Sequence, residues 1–468
     1  MIKTRYFLYS IGILVNFIFG SCESFVEVEP PNDRITRTTV FGDDQTAMSA
    51  LKGIYNQLFN TAYAAGGNRS VTFLAGLSGD NFTMTSTTEQ MVEFSENEIS
   101  TYNSFNLDFW AGAYNMIYNT NALLEGIEQS KSLSDPIKDQ IEGEAKFVRA
   151  FTYFYLTNLY GEIPLLLDTN YKNNAIEPRV STQTIYTQVL TDLNDALELL
   201  QDSYPNQLRT RPNRYVVMAL LARIHLYLED WQQAEFYSSQ VLNTIGTYEL
   251  LDNLDQVFLA NSQEALWQIS PEGWGGLLYH TQEGNLFVRI SLNNSPIKLS
   301  EDFMQVWESN DKRYRDWVGL FSESSGNYYY PFKYKVQYDA ESKIYSEYSV
   351  VMRLAEQYLI RAEALVHMGQ NSKALLDIDT IRSRAGLPLL SDMQADHSKE
   401  ELLAAISKER RLEFFSEWGH RWMDLKRTGS ASTVLGDSKA LWQHTDVLYP
   451  IPEQERSKNP NLNQNDGY

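Results

Sequence analysis

The sequence contains one cysteine, near its N-terminus, in a position where the thiol could be modified covalently. Cys22 is the only cysteine among 468 residues, and it directly follows Gly20 and Ser21. A basic start and the apolar run over residues 7–19 precede it, which is the pattern of a secretory signal peptide. That run is shorter than the roughly 20 residues that span a bilayer. We therefore predict a signal peptide over 1–21, with lipid attached to the Cys22 thiol; an ordinary signal peptide with an incidental cysteine is the alternative.

Motifs that support catalysis are missing from the sequence. It contains no GxGxxG, P-loop, GxSxG or HExxH pattern, and none of its six histidines is paired at i,i+4. Residues 273–276 (GWGG) are not followed by Lys-Ser/Thr, so they predict a flexible loop and not a phosphate cradle. Sixty carboxylates are enough to supply a glycosidase pair held about 5–10 Å apart, so a glycan hydrolase stays an alternative. We predict a non-enzymatic protein without cofactor or metal.

The richest charged motif is KERRLEF over residues 408–414. Glu409 and Glu413 are spaced i,i+4, and Arg410 and Glu413 are spaced i,i+3, so ion pairs within one helix are expected. Arg410 also falls on the apolar face of its helix, where a charge is normally paired. We interpret the motif as a structural ion network.

Composition excludes several classes of protein. Sixty acidic and 39 basic residues give a formal net charge of −21, which argues against nucleic acid as a partner. Apolar residues make up 43% and aromatic residues 13% of the chain, too much for a disordered protein. A single thiol excludes a disulfide framework and CxxC motifs.

Helical periodicity dominates two parts of the chain, 41–250 and 350–430. Asp43 or Asp44 is a candidate N-cap for the first helix. Four tryptophans in helical segments, Trp110, Trp231, Trp418 and Trp422, are expected to pack between helices. The predicted helices cover about 44–58, 107–124, 137–160, 182–200, 214–245 (a hairpin), 353–384 (a second hairpin), 399–417 and 420–427.

The two hairpins share a spacing of small residues. Ala222 and Ala234 are twelve residues apart, as are Ala362 and Ala374. Small residues at a helix crossing let backbones approach, which predicts a tetratricopeptide-like array, interrupted in sequence between the two hairpins. The alternative is that any helical hairpin carries such alanines.

Other segments lack helical periodicity. Residues 22–40 are predicted as an extended tether because two adjacent prolines block a helix. Residues 61–104 and the tail 431–468 are predicted as irregular, and 251–349 as a loop-rich region of functional interest. We expect one domain over 41–468, soluble and tethered, since no later segment is a convincing transmembrane helix.

Several segments, in order along the chain, resemble the SusD/RagB-like family of nutrient-binding outer-membrane lipoproteins. The motifs that carry the resemblance are CESFVEVEP at 22–30, the helix ending YGEIP at 142–164, the hairpin at 214–234, RLAEQYLIRAEAL…IRSRAG at 353–386, ERRLEFFSEWGHRWMDLKRTG at 409–429, and YPIP…NP…QNDGY at 449–468.

The resemblance implies a mostly α, tetratricopeptide-like superhelix with a large irregular insertion. It also implies a lipid anchor in the outer membrane and display at the cell surface. It further implies capture of oligosaccharides for a SusC-like TonB-dependent transporter, with the chain as the transporter's lid. An oligopeptide ligand within the same family, and a tetratricopeptide scaffold that binds no nutrient, remain alternatives.

Neutral sugars are recognised by aromatic faces with a few polar groups that fix orientation. Candidates are therefore aromatic residues in irregular stretches, although core packing or contact with the transporter would use the same residue types. The predicted ligand-binding residues are Asp80, Asn81, Phe82, Tyr102, Trp274, Tyr279, Arg289, Tyr328, Tyr329 and Tyr330.

Overall fold

The computed structural model of this protein describes residues 37–65, 67–244, 246–394 and 396–468. The predicted signal peptide and Cys22 lie outside these residues, as does the tether up to residue 36. Residues 37–40, predicted as extended, form a short helix, α1 (Arg37–Val40).

Amphipathic helices build the first half of the chain. Asp43 caps the first long helix, because its carboxylate accepts the backbone N–H groups of Gln45 and Thr46 at 2.9 Å each. The elements that follow α1 up to residue 242 are α2 (Asp44–Asn60), α3 (Val71–Ser78), β1 (Phe82–Met84), α4 (Glu89–Glu96), α5 (Ser104–Gln129), α6 (Asp135–Tyr160), β2 (Ile163–Pro164), α7 (Tyr171–Asn174), β3 (Arg179–Val180), α8 (Thr182–Leu199), α9 (Arg214–Tyr227) and α10 (Trp231–Leu242).

The second half is irregular and then helical again. The elements are β4 (Ala265–Ile269), α11 (Gln282–Phe287), β5 (Ile297–Leu299), α12 (Glu301–Met304), α13 (Lys312–Trp317), β6 (Val318–Glu323), β7 (Gly326–Pro331), β8 (Ser349–Arg353), α14 (Leu354–His367), α15 (Asn371–Arg384), α16 (Leu390–Met393), α17 (Lys399–Glu413), α18 (His420–Arg427), α19 (Ala431–Leu435) and α20 (Glu453–Lys458).

The expected helical hairpins are confirmed, and the two are neighbours in space. Ala222 of α9 and Ala234 of α10 share a small buried cluster with Ile360 and Ala364 of α14. Ala362 and Ala374 pack in a second cluster that α17 completes. The interruption between the hairpins therefore exists in sequence only, because α10 packs directly on α14.

Short antiparallel strands tie the irregular region to the helices. Among the described residues the strands form four two-stranded sheets, β1–β5, β2–β3, β4–β8 and β6–β7. The β1–β5 ladder pairs Phe82 with Leu299, and the β4–β8 ladder pairs Ala265 with Arg353. Region 251–349 is thus held at its beginning and end by β4 and β8 and in its middle by β5.

Two segments are more helical than predicted. Residues 61–104 contain α3 and α4, and the tail 431–468 contains α19 and α20. Seven of the eight residues of α3 are buried. Its apolar residues therefore lie on all sides of the helix and show no amphipathic period. The tail helices are only six residues long or shorter, which is too short for periodicity to show.

The tryptophans expected to pack between helices do so. Trp110, Trp418 and Trp422 are buried, and Trp231 is half-buried with its ring stacked on His367 at a centroid distance of 3.9 Å. In the described part of the chain, no helix is both long enough and apolar enough to cross a membrane.

The 408–414 motif is part of a buried ion network, as the sequence predicted. The network joins the irregular region to α15 and α17, and its ion pairs are not the ones expected. Glu413 accepts hydrogen bonds from Arg353, Arg384 and Arg313, and Glu409 pairs with Arg313 and Arg382. The prediction of ion pairs within one helix was wrong, because Glu409 and Glu413 point into the core toward arginines of other elements. Arg410 is buried and paired with Asp424, as expected.

Candidate functional site

Exposed apolar side chains concentrate on the irregular region. Within the described residues, eight of the seventeen exposed large apolar side chains lie in 251–349, which is under a quarter of the chain. Such clustering is typical of a surface that binds something. We call residues 271–298 and 318–346 the loop face; its exposed apolar residues are Leu277, Ile290, Leu292, Leu320, Tyr338 and Ile344.

Five aromatic rings form one end of the loop face, here named the Trp274 cluster (Trp274, Tyr279, His280, Tyr338 and Tyr345). His280 lies between Trp274 and Tyr338, with ring centroids 5.0 and 5.1 Å away, and Tyr279 packs on Tyr345 at 5.0 Å. Tyr338 is 62% exposed, and the Trp274, Tyr279 and Tyr345 side chains are half-buried. The cluster thus presents ring surfaces to solvent on a packed base.

Helix α2 supports the turn that carries Trp274. The Trp274 ring meets the Phe59 ring edge-on, with centroids 4.7 Å apart and planes at 90°. Asn60 donates from Nδ2 to the carbonyl oxygen of Gly273 at 3.1 Å. A Cβ atom at Gly273 would lie 2.6 Å from the backbone oxygen of Asn56, so only glycine permits this close approach. The position of Trp274 is therefore fixed by packing against a helix.

Two loops of the cluster are tied by backbone hydrogen bonds. The N–H of Tyr279 donates to the carbonyl oxygen of Asp339 at 2.8 Å, and the N–H of Asp339 donates to Nδ1 of His280 at 2.9 Å. Burial lowers the pKa of His280 below its ordinary value, which favours the uncharged ring. His280 is 1% exposed, so it supports the rings around it from below.

A groove beside the β6–β7 hairpin carries a second group of aromatic side chains and is here named the Tyr328 groove. Its volume is about 570 Å³, and Tyr328 and Tyr329 line it with polar groups on both sides. The guanidinium of Arg289 lies over the Tyr328 ring, 5.0 Å from its centroid. The other polar residues that line the groove are Lys298, Glu301, Gln305, Ser325 and Asn327.

Three of the predicted ligand-binding residues are buried supports of this face. Arg289 is 2% exposed and donates to the carbonyl oxygens of Ser295 and Ile297 at 2.7 Å each, which holds the loop after α11. Phe82 is buried in β1, and Tyr330 is buried against Gly319.

The remaining three predicted residues belong to neither aromatic group, although Ser300, next to the groove residues Leu299 and Glu301, donates hydrogen bonds to the backbone oxygens of Asp80 and Asn81. Asp80 pairs with Arg411 and Arg421, and Asn81 accepts a hydrogen bond from Arg411 at 2.8 Å. Burial by itself would raise the pKa of Asp80, but these two arginines outweigh it and lower the pKa. Tyr102 is 72% exposed at the end of the loop before α5.

Sequence reasoning brought together part of the site and missed the rest. Trp274 and Tyr279 do share one cluster, and Arg289 does contact Tyr328. His280, Tyr338 and Tyr345 were missed; Tyr338 ends an aromatic-rich stretch, but its contact with His280 joins residues 58 positions apart. In the described ranges no group of three or more His, Cys, Asp or Glu side chains could hold a metal ion.

Comparison with known proteins shows which proteins share this sequence pattern and fold. The sequence profile described as "Starch-binding associating with outer membrane" matches residues 24–226, and that of the SusD family matches residues 321–468. SusD-like protein P25 of Formosa agariphila is 24% identical over 98% of both chains. A SusD superfamily protein of Bacteroides vulgatus superposes with a TM-score of 0.80 at 20% identity, over 92% of this chain and 100% of the other. A "Laminarin binding SusD-like protein" superposes with a TM-score of 0.75 at 24% identity, over 91% and 99%.

The fold is that of a class of mostly helical, glycan-binding proteins associated with the outer membrane. Two SusD-type profiles, each over less than half of the chain, and the SusD-like relatives support membership of the SusD/RagB family, which the motifs predicted.

Proposed function

We propose that this protein is a surface lipoprotein that captures oligosaccharides and delivers them to a SusC-like TonB-dependent transporter, acting as the transporter's lid. It acts by binding and carries out no catalysis. The observation that supports capture most directly is the Trp274 cluster, where solvent-facing rings stand on a base packed against α2. Flat rings of this kind stack on the C–H faces of neutral sugars.

Two further observations favour a sugar as the ligand. Starch binding is the description of the family profile that covers residues 24–226, and a protein of the same fold carries the description "laminarin binding". Both starch and laminarin are neutral glucose polymers. The lowered pKa of His280 favours its uncharged form, so the five rings of the cluster hold no charge that an uncharged sugar would leave without a partner.

The exposed apolar side chains of the loop face support a protein partner at the same side. Leu277 is 75%, Ile344 66% and Ile290 63% exposed, and none of these branched side chains offers a flat face for stacking on sugar. We propose that they contact the transporter and that the Trp274 cluster is covered when the lid closes. Leu277→Asp and Ile344→Asp should then release the transporter during copurification and leave glycan binding in place.

Glycan titration calorimetry tests capture. The protein is titrated with α-glucan, β-glucan and other oligosaccharides, and with peptides in a parallel series. We expect at least one glycan to bind and Trp274→Ala and Tyr338→Ala to weaken binding by about fivefold or more, since loss of a stacking ring removes about 1 kcal/mol or more. Tyr171→Ala is the matched control, because Tyr171 is 72% exposed, comparable with 62% for Tyr338, but lies on α7, outside the loop face.

Each alternative has a distinct result in this experiment. Binding of peptides and of no glycan would replace the sugar with an oligopeptide ligand. Release of reducing ends from any glycan would indicate a hydrolase. Unchanged affinity of both ring variants, with melting temperatures like the wild type, would remove the Trp274 cluster from the binding site.

A further inference from the structure

A pocket far from the loop face in sequence holds a partly unpaired arginine. It lies between the α9–α10 turn, α14, α17 and α18, and its volume is about 390 Å³. No residue between 251 and 349 lines it. A volume of this size is in the usual range for small-molecule sites.

Arg410 is the buried cation of this pocket. Its side chain is 2% exposed, and its Nε donates to Oδ2 of Asp424 at 2.8 Å. Its Nη1 has no hydrogen-bond partner among the described residues. A buried guanidinium N–H without an acceptor is costly, so an acceptor is expected at this position.

Three arginines, Arg410, Arg421 and Arg427, line the pocket together with three carboxylates, Glu229, Glu363 and Asp424. Arg410 shares its partner Asp424 with Arg427, so the charge of Arg410 is only partly compensated. Glu229 at the pocket's edge is exposed, where water and salt screen its charge. The pairs are Arg410–Asp424, Arg427–Asp424, Arg427–Glu363, Arg411–Asp80 and Arg421–Asp80.

Apolar walls and a few hydroxyl groups complete the pocket. The side chains of Leu226, Leu403 and Ile406 line one part, next to the stacked rings of Trp231 and His367. Hydroxyl groups are supplied by Ser407, Thr428 and Ser430. A ligand that fills this space has an apolar body and a single anionic end.

We propose that this pocket binds a small monocarboxylate with a branched apolar body. The carboxylate accepts from the free N–H groups of Arg410, because the planar guanidinium fork matches a carboxylate. The body packs on Leu226, Leu403 and Ile406. One carboxylate matches Arg410, whose partner Asp424 is shared with Arg427. The C-terminal residue of a peptide and a free branched-chain acid share this chemistry.

Calorimetry of the full chain in detergent with three probes tests the site. N-acetyl-leucine represents a peptide C-terminus, 4-methylpentanoate a free acid, and N-acetyl-leucinamide lacks the carboxylate. We expect an acid to bind and the amide to bind at least about tenfold more weakly, since charge-assisted hydrogen bonds are roughly twice as strong as neutral ones. Tighter binding of N-acetyl-leucine identifies the peptide C-terminus as the source, and tighter binding of 4-methylpentanoate identifies the free acid.

Two variants of α17 provide the structural control without removing Arg410. Ser407→Trp places a ring in the pocket and should lower acid affinity at least about tenfold. Ala404→Trp adds the same ring on an exposed position of α17 that does not line the pocket, and should change nothing. No binding of either acid at about 10 mM, equal binding of acid and amide, or full affinity in Ser407→Trp would each overturn the proposal and leave water as the acceptor for Arg410.

Discussion

Replacing Arg353 with methionine tests whether the buried ion network holds the irregular region to the helices. Arg353 is 1% exposed, and its guanidinium donates to Glu264 at 2.9 Å, to Glu413 at 2.5 Å and to Glu417 at 2.8 Å. Removing one partner of a buried ion pair costs about 3–5 kcal/mol, because the other charge stays buried.

The structure places this loss at the lower end of that range. Each of the three carboxylates keeps a second cation, which is Arg384 for Glu264 and Glu413, and Lys333 for Glu417. We therefore expect a loss of about 3 kcal/mol in the free energy of unfolding. With an unfolding entropy of about 2.1 cal/mol/K per residue over roughly 430 residues, the melting temperature should fall by about 3 °C.

Scanning calorimetry at pH 7 and a fixed scan rate measures this change. Arg315→Met is the control, because Arg315 is 69% exposed in its side chain and pairs only with its neighbour Asp316. Its melting temperature should shift by less than about 1 °C. A variant at position 353 that melts at or above the wild-type temperature would refute the reasoning, since the network would then be replaceable by apolar packing.

Three further predictions concern pH, the Trp274 turn and the anchor. Burial alone would raise the pKa of Glu413, but three arginines hold it well below its ordinary value. Hydrogen bonds from an arginine lower the pKa of Glu308 to about 2. The stability that these two carboxylates contribute is therefore present above about pH 4.5 and is lost as the pH falls. The melting temperature should accordingly drop between pH 5 and pH 3, and an equal value at pH 6 and pH 3 would contradict this sign. Gly273→Ala should lower glycan affinity several-fold, because its Cβ would meet a backbone oxygen of α2 at 2.6 Å, whereas Gly53→Ala, with open space around it, should bind normally in the same titration. Cys22→Ala should move the protein from the membrane fraction to the soluble fraction, and unchanged surface labelling of that variant would disprove the lipid anchor.

The helical part of the fold was largely predictable because its signals are local. Asp43 caps α2 as expected, and the alanine spacing of the hairpins predicted the crossings at Ala222 and Ala234. Helix α3 was not predictable, because burial on all sides removes the periodicity by which a helix is recognised.

The candidate site was predictable only in part. Aromatic residues in an irregular stretch indicated Trp274 and Tyr279, since rings outside periodic helices are available for contacts. Nothing local distinguishes Tyr338, which faces solvent beside His280, from Tyr330, which is buried against Gly319. The difference arises from which strand or loop packs beneath each ring.

The sequence by itself indicated the family, the mostly helical class and the presence of an ion network in the 408–414 motif. These properties follow from residue types and their short-range spacing. Only the tertiary structure decided which charges meet, because Glu413 could have paired with Arg410 on its own helix but instead points toward Arg353, Arg384 and Arg313. A buried carboxylate pairs with the cations that the surrounding elements bring to it. For Glu413 the most distant of these cations along the chain is Arg313, 100 residues away.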